Sequence, residues 1–299
     1  MEPSASPAAI SIQGLTKTFG SKRALHNVSF EVPVGEIYGF LGPNGAGKTT
    51  TIRCLMDFIH PTKGSITILG KDAHEQSTYL KQKIGFLSSD QQLNPRWTGE
   101  DHIRLAAGIR GSQKHARELS KLLGYNPYLR VKALSTGNKQ KLAIVLAFMG
   151  NPELLIMDEP TRGLDPMLQK LLYDLLRDYA KNGKTVFFSS HNLNEVQALC
   201  DSVAFIKDGK ILTQKSMYDI RGMNVHIISA TATKPFVVAE LKAAGVTVVQ
   251  HKGVTITIKV KGDFNKALRA LARYELTDLD MTHANLEDIF LEQYKGEKA

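Results

Sequence analysis

Apolar positions fall along the chain in two different rhythms. In the first stretch, short unbroken apolar runs alternate with longer segments of helical period. Glu36 to Leu41 reads as a buried strand, and the chain from Thr50 onward as a helix. Leu154 to Met157 is apolar at every position, which suits a central strand covered on both faces of a parallel sheet. The segment Thr185 to Ser189 reads as another strand. Between them, about 79–150, the pattern is helix-rich. His102 to Ile109 and His115 to Leu123 are helical by spacing, with Gly111-Ser112 separating them. Lys139 to Met149 also has helical length, with apolar Leu142, Ile144, Val145, Leu146 and Phe148, and Ser135 ahead of it is a good N-cap.

Beyond Arg221 strands and short helices take turns. Asn224 to Thr231, Val246 to Gln250, Val254 to Val260 and Leu276 to Met281 read as strands, with Pro235 to Ala244 and Phe264 to Tyr274 as helices. The order βαββαβ is that of a ferredoxin-like α+β unit, and a final helix is expected over Leu286 to Tyr294. Met1 to Ala9 lacks an apolar core and reads as a flexible tail without a secretory signal. The expected organisation is a tail over 1–9, an α/β domain over 10–222 with its helical part about 79–150, and an accessory domain over 223–299.

The strand ending at Leu41 runs into Gly42-Pro43-Asn44-Gly45-Ala46-Gly47-Lys48-Thr49-Thr50. This spacing is that of a P-loop. Glycines let backbone N–H groups wrap phosphates, Lys48 reaches the β/γ oxygens, and Thr49 offers its hydroxyl to Mg²⁺. A strand, a loop and a helix N-terminus in that order also place a positive dipole end against phosphate. The Leu154 strand ends in Asp158-Glu159, at the carboxyl end of the sheet where open α/β folds bind ligands. Asp158 is placed to hold Mg²⁺, and Glu159 to orient or deprotonate a water for in-line attack. Alternation of side chains along a strand is the expected reason that the two acids reach different points.

These motifs, with three more, resemble the ATP-binding subunit of an ABC transporter, and the similarity runs from about Ile10 to Arg221. Leu134-Ser135-Thr136-Gly137-Asn138 is similar to the family's Leu-Ser-Gly-Gly-Gln signature, Gly163-Leu164-Asp165 to its D-loop, and Ser189-Ser190-His191 to its switch histidine. The resemblance implies a P-loop ABC cassette followed by the ferredoxin-like extension seen in exporter-type relatives, including the closing Leu286-Glu287-Asp288-Ile289-Phe290-Leu291. It also implies that Ser135 and the Gly137 amide grip the γ-phosphate of ATP held by an opposite cassette, so that two subunits close head-to-tail. Homodimer and heterodimer are both compatible with it. His191 is expected to contact the γ-phosphate, and Phe19 to stack on adenine, for which a ring face suffices. The implied cofactors are ATP and Mg²⁺. The implied partners are a second cassette and an integral membrane permease, with this subunit cytoplasmic and peripheral on the inner membrane face.

Departures fall at Thr136, Asn138 and Ser89. The family places glutamine or glutamate where this chain has Ser89, within Ser88-Ser89-Asp90-Gln91-Gln92. Serine is shorter, so that role is open among Ser89 with a water, Asp90 and Gln91. Trp97 lies beside the expected permease groove as either a partner anchor or a packed core residue.

Composition narrows the alternatives. Hydrophobic residues make up 42% of 299, ordinary for a soluble fold, and Leu142 to Met149 falls far short of the roughly 18 residues that span a bilayer. Cys54 and Cys200 lack metal spacing and read as small buried apolar residues. Residues 1–222 carry 28 Lys and Arg against 20 Asp and Glu, a surplus suited to ATP or an anionic membrane surface. Because these basic residues are scattered and not interleaved with aromatics, no direct nucleic-acid partner is expected. Relatives that act on ribosomes or DNA carry two cassettes or coiled-coil arms, whereas this chain has one P-loop and no heptad run.

Overall fold

The computed structural model describes residues 8–110, 113–222, 225–243, 246–261 and 265–283. The chain divides into two compact units, Met1–Lys215 and Ser216–Ala299.

In the first unit, β1 (Ala8–Phe19), β2 (Lys22–Pro33), β4 (Lys63–Ile68) and β5 (Lys71–Asp72) form an antiparallel sheet in the order β2-β1-β4-β5. The six-stranded sheet runs β10-β9-β3-β8-β7-β6, from β10 (Lys210–Ser216) and β9 (Ser202–Lys207) through β3 (Ile37–Leu41), β8 (Thr185–Ser190) and β7 (Leu154–Asp158) to β6 (Ile84–Leu87). Neighbours from β9 to β6 are parallel. Every residue of β3, β7 and β8 is buried, as expected of strands covered on both faces, including the polar Asp158, Thr185, Ser189 and Ser190.

One apolar cluster joins the two sheets. Phe30 from β2 stacks on Phe40 and Phe187 with ring centroids 5.2 and 5.9 Å apart, and Ile52, Leu55 and Met56 of α1 (Lys48–Leu55) and its end belong to the same cluster. Removing a ring such as Phe187 costs about 3–5 kcal/mol, because so dense a cluster closes only partly over the void. On the opposite side α6 (Pro166–Lys181) packs on β3 and β8 with Leu168, Leu172, Leu176 and Tyr179 buried along one stripe.

The stretch expected to be helix-rich, about 79–150, also contains a core strand. After α2 (Ser77–Lys83), β6 pairs in parallel with β7 and carries Ile84 and Leu87 into the sheet. Gly85 lies against the Ala147 carbonyl and Pro152, too close for any side chain. The helical part proper therefore begins later, with α3 (Gly99–Arg110), α4 (Gln113–Leu122) and α5 (Thr136–Phe148). Trp97 is partly exposed and meets the His102 ring edge-on at 5.2 Å, while His102 Nε2 accepts from the Asn94 backbone N–H at 3.0 Å. Cys54 and Cys200 are buried and unpaired. Among the described residues, no helix is long and apolar enough to cross a membrane.

The second unit begins with α8 (Met217–Gly222) and continues with β11 (Val225–Ala232), α9 (Val238–Ala243), β12 (Thr247–Lys252), β13 (Thr255–Lys261), α10 (Asn265–Leu271) and β14 (Leu276–His283). Its sheet order β12-β13-β11-β14, antiparallel throughout, is the ferredoxin-like arrangement. Ile228, Ala230 and Ala232 of β11 and Ile256, Ile258 and Val260 of β13 share a core with Leu241 and Leu271 of the helices. Residues between them, such as Ser229, Thr231, Thr255 and Thr257, pair by hydroxyls on the other face, which is why period two was readable here. The expected helix over Leu286 to Tyr294 lies outside the described residues.

Candidate functional site

Backbone geometry makes the first half of the site. Strand β3 ends at Leu41, and the loop Gly42 to Gly47 turns into α1. Gly47, the N-cap, has φ +111°, and a β-carbon there would fall 2.7 Å from Leu25 Cδ2. Gly45 has φ +80°. Glycine at these two positions opens the cradle that a phosphate needs and that a side chain would fill. Lys48 is 5% exposed, and its ammonium donates to the carbonyls of Gly42 at 2.7 Å and Pro43 at 3.2 Å. Burial holds this ammonium below the usual lysine range, against the opposing pull of Glu159 and Asp158.

Strand β7 delivers the carboxylates. Asp158, 2% exposed, receives three hydroxyls: Thr49 on Oδ2 at 2.9 Å, Ser89 on Oδ2 at 2.8 Å, and Ser189 on Oδ1 at 2.5 Å. Glu159 departs from strand geometry altogether, with φ +49°. That turn, more than simple alternation along β7, separates the acids: Glu159 Oε1 lies 3.6 Å from Lys48 Nζ and 3.1 Å from His191 Nδ1. The Glu159 N–H is held by the carbonyl of Ser189 at 3.2 Å and its hydroxyl at 3.1 Å.

Buried polar links brace the surrounding loops. Glu195 accepts from Thr161 at 2.6 Å and from Ser190 at 2.7 Å, tying the turn after Glu159 to the residue before His191. Gln140 of α5 donates to the Pro160 carbonyl at 2.6 Å and accepts from Gln91. Gln91 is thereby turned toward Gln140, Asp90 bonds with Ser88 and Gln92, and Ser89 alone of the three candidates touches Asp158. Ser135 caps α5, accepting from the Asn138 N–H at 3.3 Å, with Gly137 in the first turn. Neither Ser135 nor Gly137 is part of the pocket formed by the P-loop.

That pocket, about 650 Å³, is lined by Phe19, Asn44, Gly45, Gly47, Lys48, Thr49, Thr50 and Glu159. Its volume is that of a small-molecule site. Phe19 is half exposed at its mouth, with Lys17 Nζ 5.0 Å from the ring centroid. Lys22, Arg23, His26 and Asp208 also line it. Sequence reasoning missed these, together with Ser189 and Gln140, because nothing local marks a hydroxyl inside a strand or a cation at the start of one as part of a site. The oxygen donor set of Thr49, Ser89 and Asp158 suits a hard cation such as Mg²⁺, and the glycine cradle with a buried ammonium suits a polyphosphate.

The ABC transporter family profile aligns with residues 25–162. The chain is 33% identical over 299 residues to the Uncharacterized ABC transporter ATP-binding protein YcbN of Bacillus subtilis (strain 168), covering 96% of this chain and 97% of that one. It is 31% identical over 295 residues to the Nod factor export ATP-binding protein I of Burkholderia orbicola (strain AU 1054), again with 96% and 97% coverage. Among solved structures, the dimeric post-hydrolysis state of the ATP-binding cassette MJ0796 bound to ADP and Pi superposes with a TM-score of 0.65 at 26% identity, covering 70% of this chain and 98% of that one.

Proposed function

The chain belongs to the ABC transporter family as an ATP-binding, ATP-hydrolysing cassette, and on that premise we propose that it pairs head-to-tail with a second cassette to drive a separate membrane permease in export. The observation that carries the chemistry is the division of labour between adjacent acids. Asp158 sits under three hydroxyls, two of them on the oxygen that faces Thr49, while Glu159 is swung onto Lys48 and His191.

In this reading, Asn44 to Thr50 cradle the triphosphate, with Gly42 and Pro43 opening the loop. Thr49 and Asp158, with Ser89 in support, would hold Mg²⁺, which when bound neutralises charge on the β- and γ-oxygens. Lys48 exchanges its two carbonyl partners and the nearby Glu159 carboxylate for phosphate oxygens. Glu159 is then free to take the proton of the attacking water, and His191, released from the same carboxylate, reaches the γ-phosphate. Phe19 covers the base, and Lys22 and Arg23 add positive charge along the pocket wall. The second cassette completes the site by presenting Ser135 and Gly137.

Export as the direction is supported by likeness over nearly the whole chain to a protein named for Nod factor export. Leu105 and Ile109, exposed one turn apart on α3, and the partly exposed Trp97 are apolar side chains suited to a permease contact at the membrane's inner face. The test uses E159Q, tagged and expressed in the native host, with membranes solubilised in the presence of ATP. Hydrolysis should fall about 10²- to 10⁴-fold with ATP binding retained, and a multi-span membrane protein should co-purify stoichiometrically. Wild-type turnover would refute the role of Glu159. Recovery of soluble protein or nucleic acid alone would refute the transport reading and leave the ATPase chemistry standing.

A further inference from the structure

A second cluster of chemistry-bearing side chains lies outside the nucleotide pocket, where α1 ends. Asp57 follows that helix in a left-handed conformation, φ +52°, and its N–H returns to the Cys54 carbonyl at 3.1 Å. The turn directs its carboxylate at two imidazoles. Asp57 Oδ1 lies 3.1 Å from His60 Nδ1 and 3.0 Å from His74 Nδ1, and the two rings meet edge to face with centroids 4.3 Å apart. One donor atom from each of the three residues fits within 4.8 Å of the others.

Three separate segments bring these groups together: the end of α1, the loop leading to β4, and the turn after β5. The third is pinned independently, since Asp72 Oδ1 accepts from the N–H groups of His74 and Glu75 at 2.8 and 3.0 Å. The Asp57 side chain is 15% exposed, forming the floor, whereas His60 and His74 are 64% and 67% exposed, forming an accessible rim. Beside them is a cavity of about 420 Å³ that Asp72 and Glu75 also line.

We propose that Asp57, His60 and His74 form a binding site for a divalent transition-metal ion of the zinc class, separate from the Mg²⁺ position in the nucleotide pocket. Two imidazole nitrogens with one carboxylate oxygen are the donors of zinc, cobalt and nickel sites, whereas calcium and magnesium take oxygen ligands. The observed separations of 3.0 and 3.1 Å are close to the roughly 3.3 Å edge of a tetrahedron built on bonds of about 2.0–2.1 Å. Each imidazole thus stands nearly at coordination spacing from the carboxylate, with all three donors within 4.8 Å beside the cavity, where Glu75 or water would complete the shell. The carbonyl end of α1 adds a negative dipole end on the same side. An ion here would staple the far end of the P-loop helix to the β5 turn.

The test is titration of the nucleotide-free full chain, in excess Mg²⁺, with CoCl₂ by visible absorption and with ZnCl₂ by calorimetry. The wild-type protein should take up one ion per chain with nitrogen-ligated cobalt absorption. H60N and H74N, both at exposed positions, should each weaken zinc binding at least about 100-fold, since loss of even an outer-shell partner costs 10- to 100-fold. D57N should do the same without disturbing the fold, because asparagine tolerates the left-handed turn. ATP hydrolysis by all three, with Mg²⁺ present and no transition metal added, should match wild type. Absence of zinc and cobalt binding would overturn the proposal, and so would binding that survives unchanged in H60N and H74N.

Discussion

Replacing Ser189 by alanine isolates the least visible support of the nucleotide site. Its hydroxyl is wholly buried and donates to Asp158 Oδ1 at 2.5 Å. It also accepts from the Glu159 N–H, but that donor keeps the Ser189 carbonyl at 3.2 Å, so alanine orphans no backbone group. The cost therefore falls on Asp158, a buried carboxylate whose other oxygen already holds Thr49 and Ser89. A hydrogen bond to a charged group contributes about 1.5–3 kcal/mol, equivalent to about 10- to 150-fold in an equilibrium. Urea unfolding of nucleotide-free wild type, S189A, D158N and the double variant gives the coupling between the two side chains directly. A coupling of about 1.5–3 kcal/mol is expected, with S189A also raising the Mg²⁺ concentration needed for half-maximal ATP hydrolysis. Coupling below about 0.5 kcal/mol, with the Mg²⁺ requirement unchanged, would refute the view that Ser189 positions Asp158.

Two further outcomes follow from the same geometry. Burial lowers the Lys48 pKa in the folded state, so protonation favours the unfolded chain there, and nucleotide-free stability should rise as pH climbs toward the unfolded value near 10.4. K48M should flatten that rise in urea midpoints measured across alkaline pH while weakening ATP at least about tenfold by calorimetry, and an unaltered slope would contradict the burial argument. S89A should raise the Mg²⁺ requirement of hydrolysis about 3- to 10-fold without changing ATP affinity measured in EDTA. An unchanged Mg²⁺ requirement would remove Ser89 from the site.

What could be read from the chain beforehand was whatever phosphate chemistry imposes locally. Gly45 and Gly47 must take positive φ, Lys48 and Thr49 must follow at once, and an acid must close an apolar run; all of this is contiguous in sequence. The ferredoxin-like unit was legible because its strands have one helix-covered face and one hydroxyl face. Contacts set by topology were not legible. Ser89 and Ser189 come from different strand ends and meet only because β6, β7 and β8 are neighbours in parallel. β6 itself was hidden, its four residues too few to stand out in a helix-rich stretch. The Asp57–His60–His74 cluster needs the turn after β5 to fold back beside α1, and residue spacing does not announce that. The positive φ of Glu159 had no signal either, since glutamate is a residue that ordinarily avoids it.

That last feature bears on how such a protein changes under selection. A non-glycine residue held in the left-handed region costs about 1–3 kcal/mol, and Glu159 carries that cost at φ +49°. Glycine or asparagine at 159 would relieve it. A mutant library screened only for heat resistance or expression yield would therefore be drawn to this codon, and its winners would be silent as enzymes. Glutamate at 159 is thus a residue whose backbone cost only its chemistry offsets.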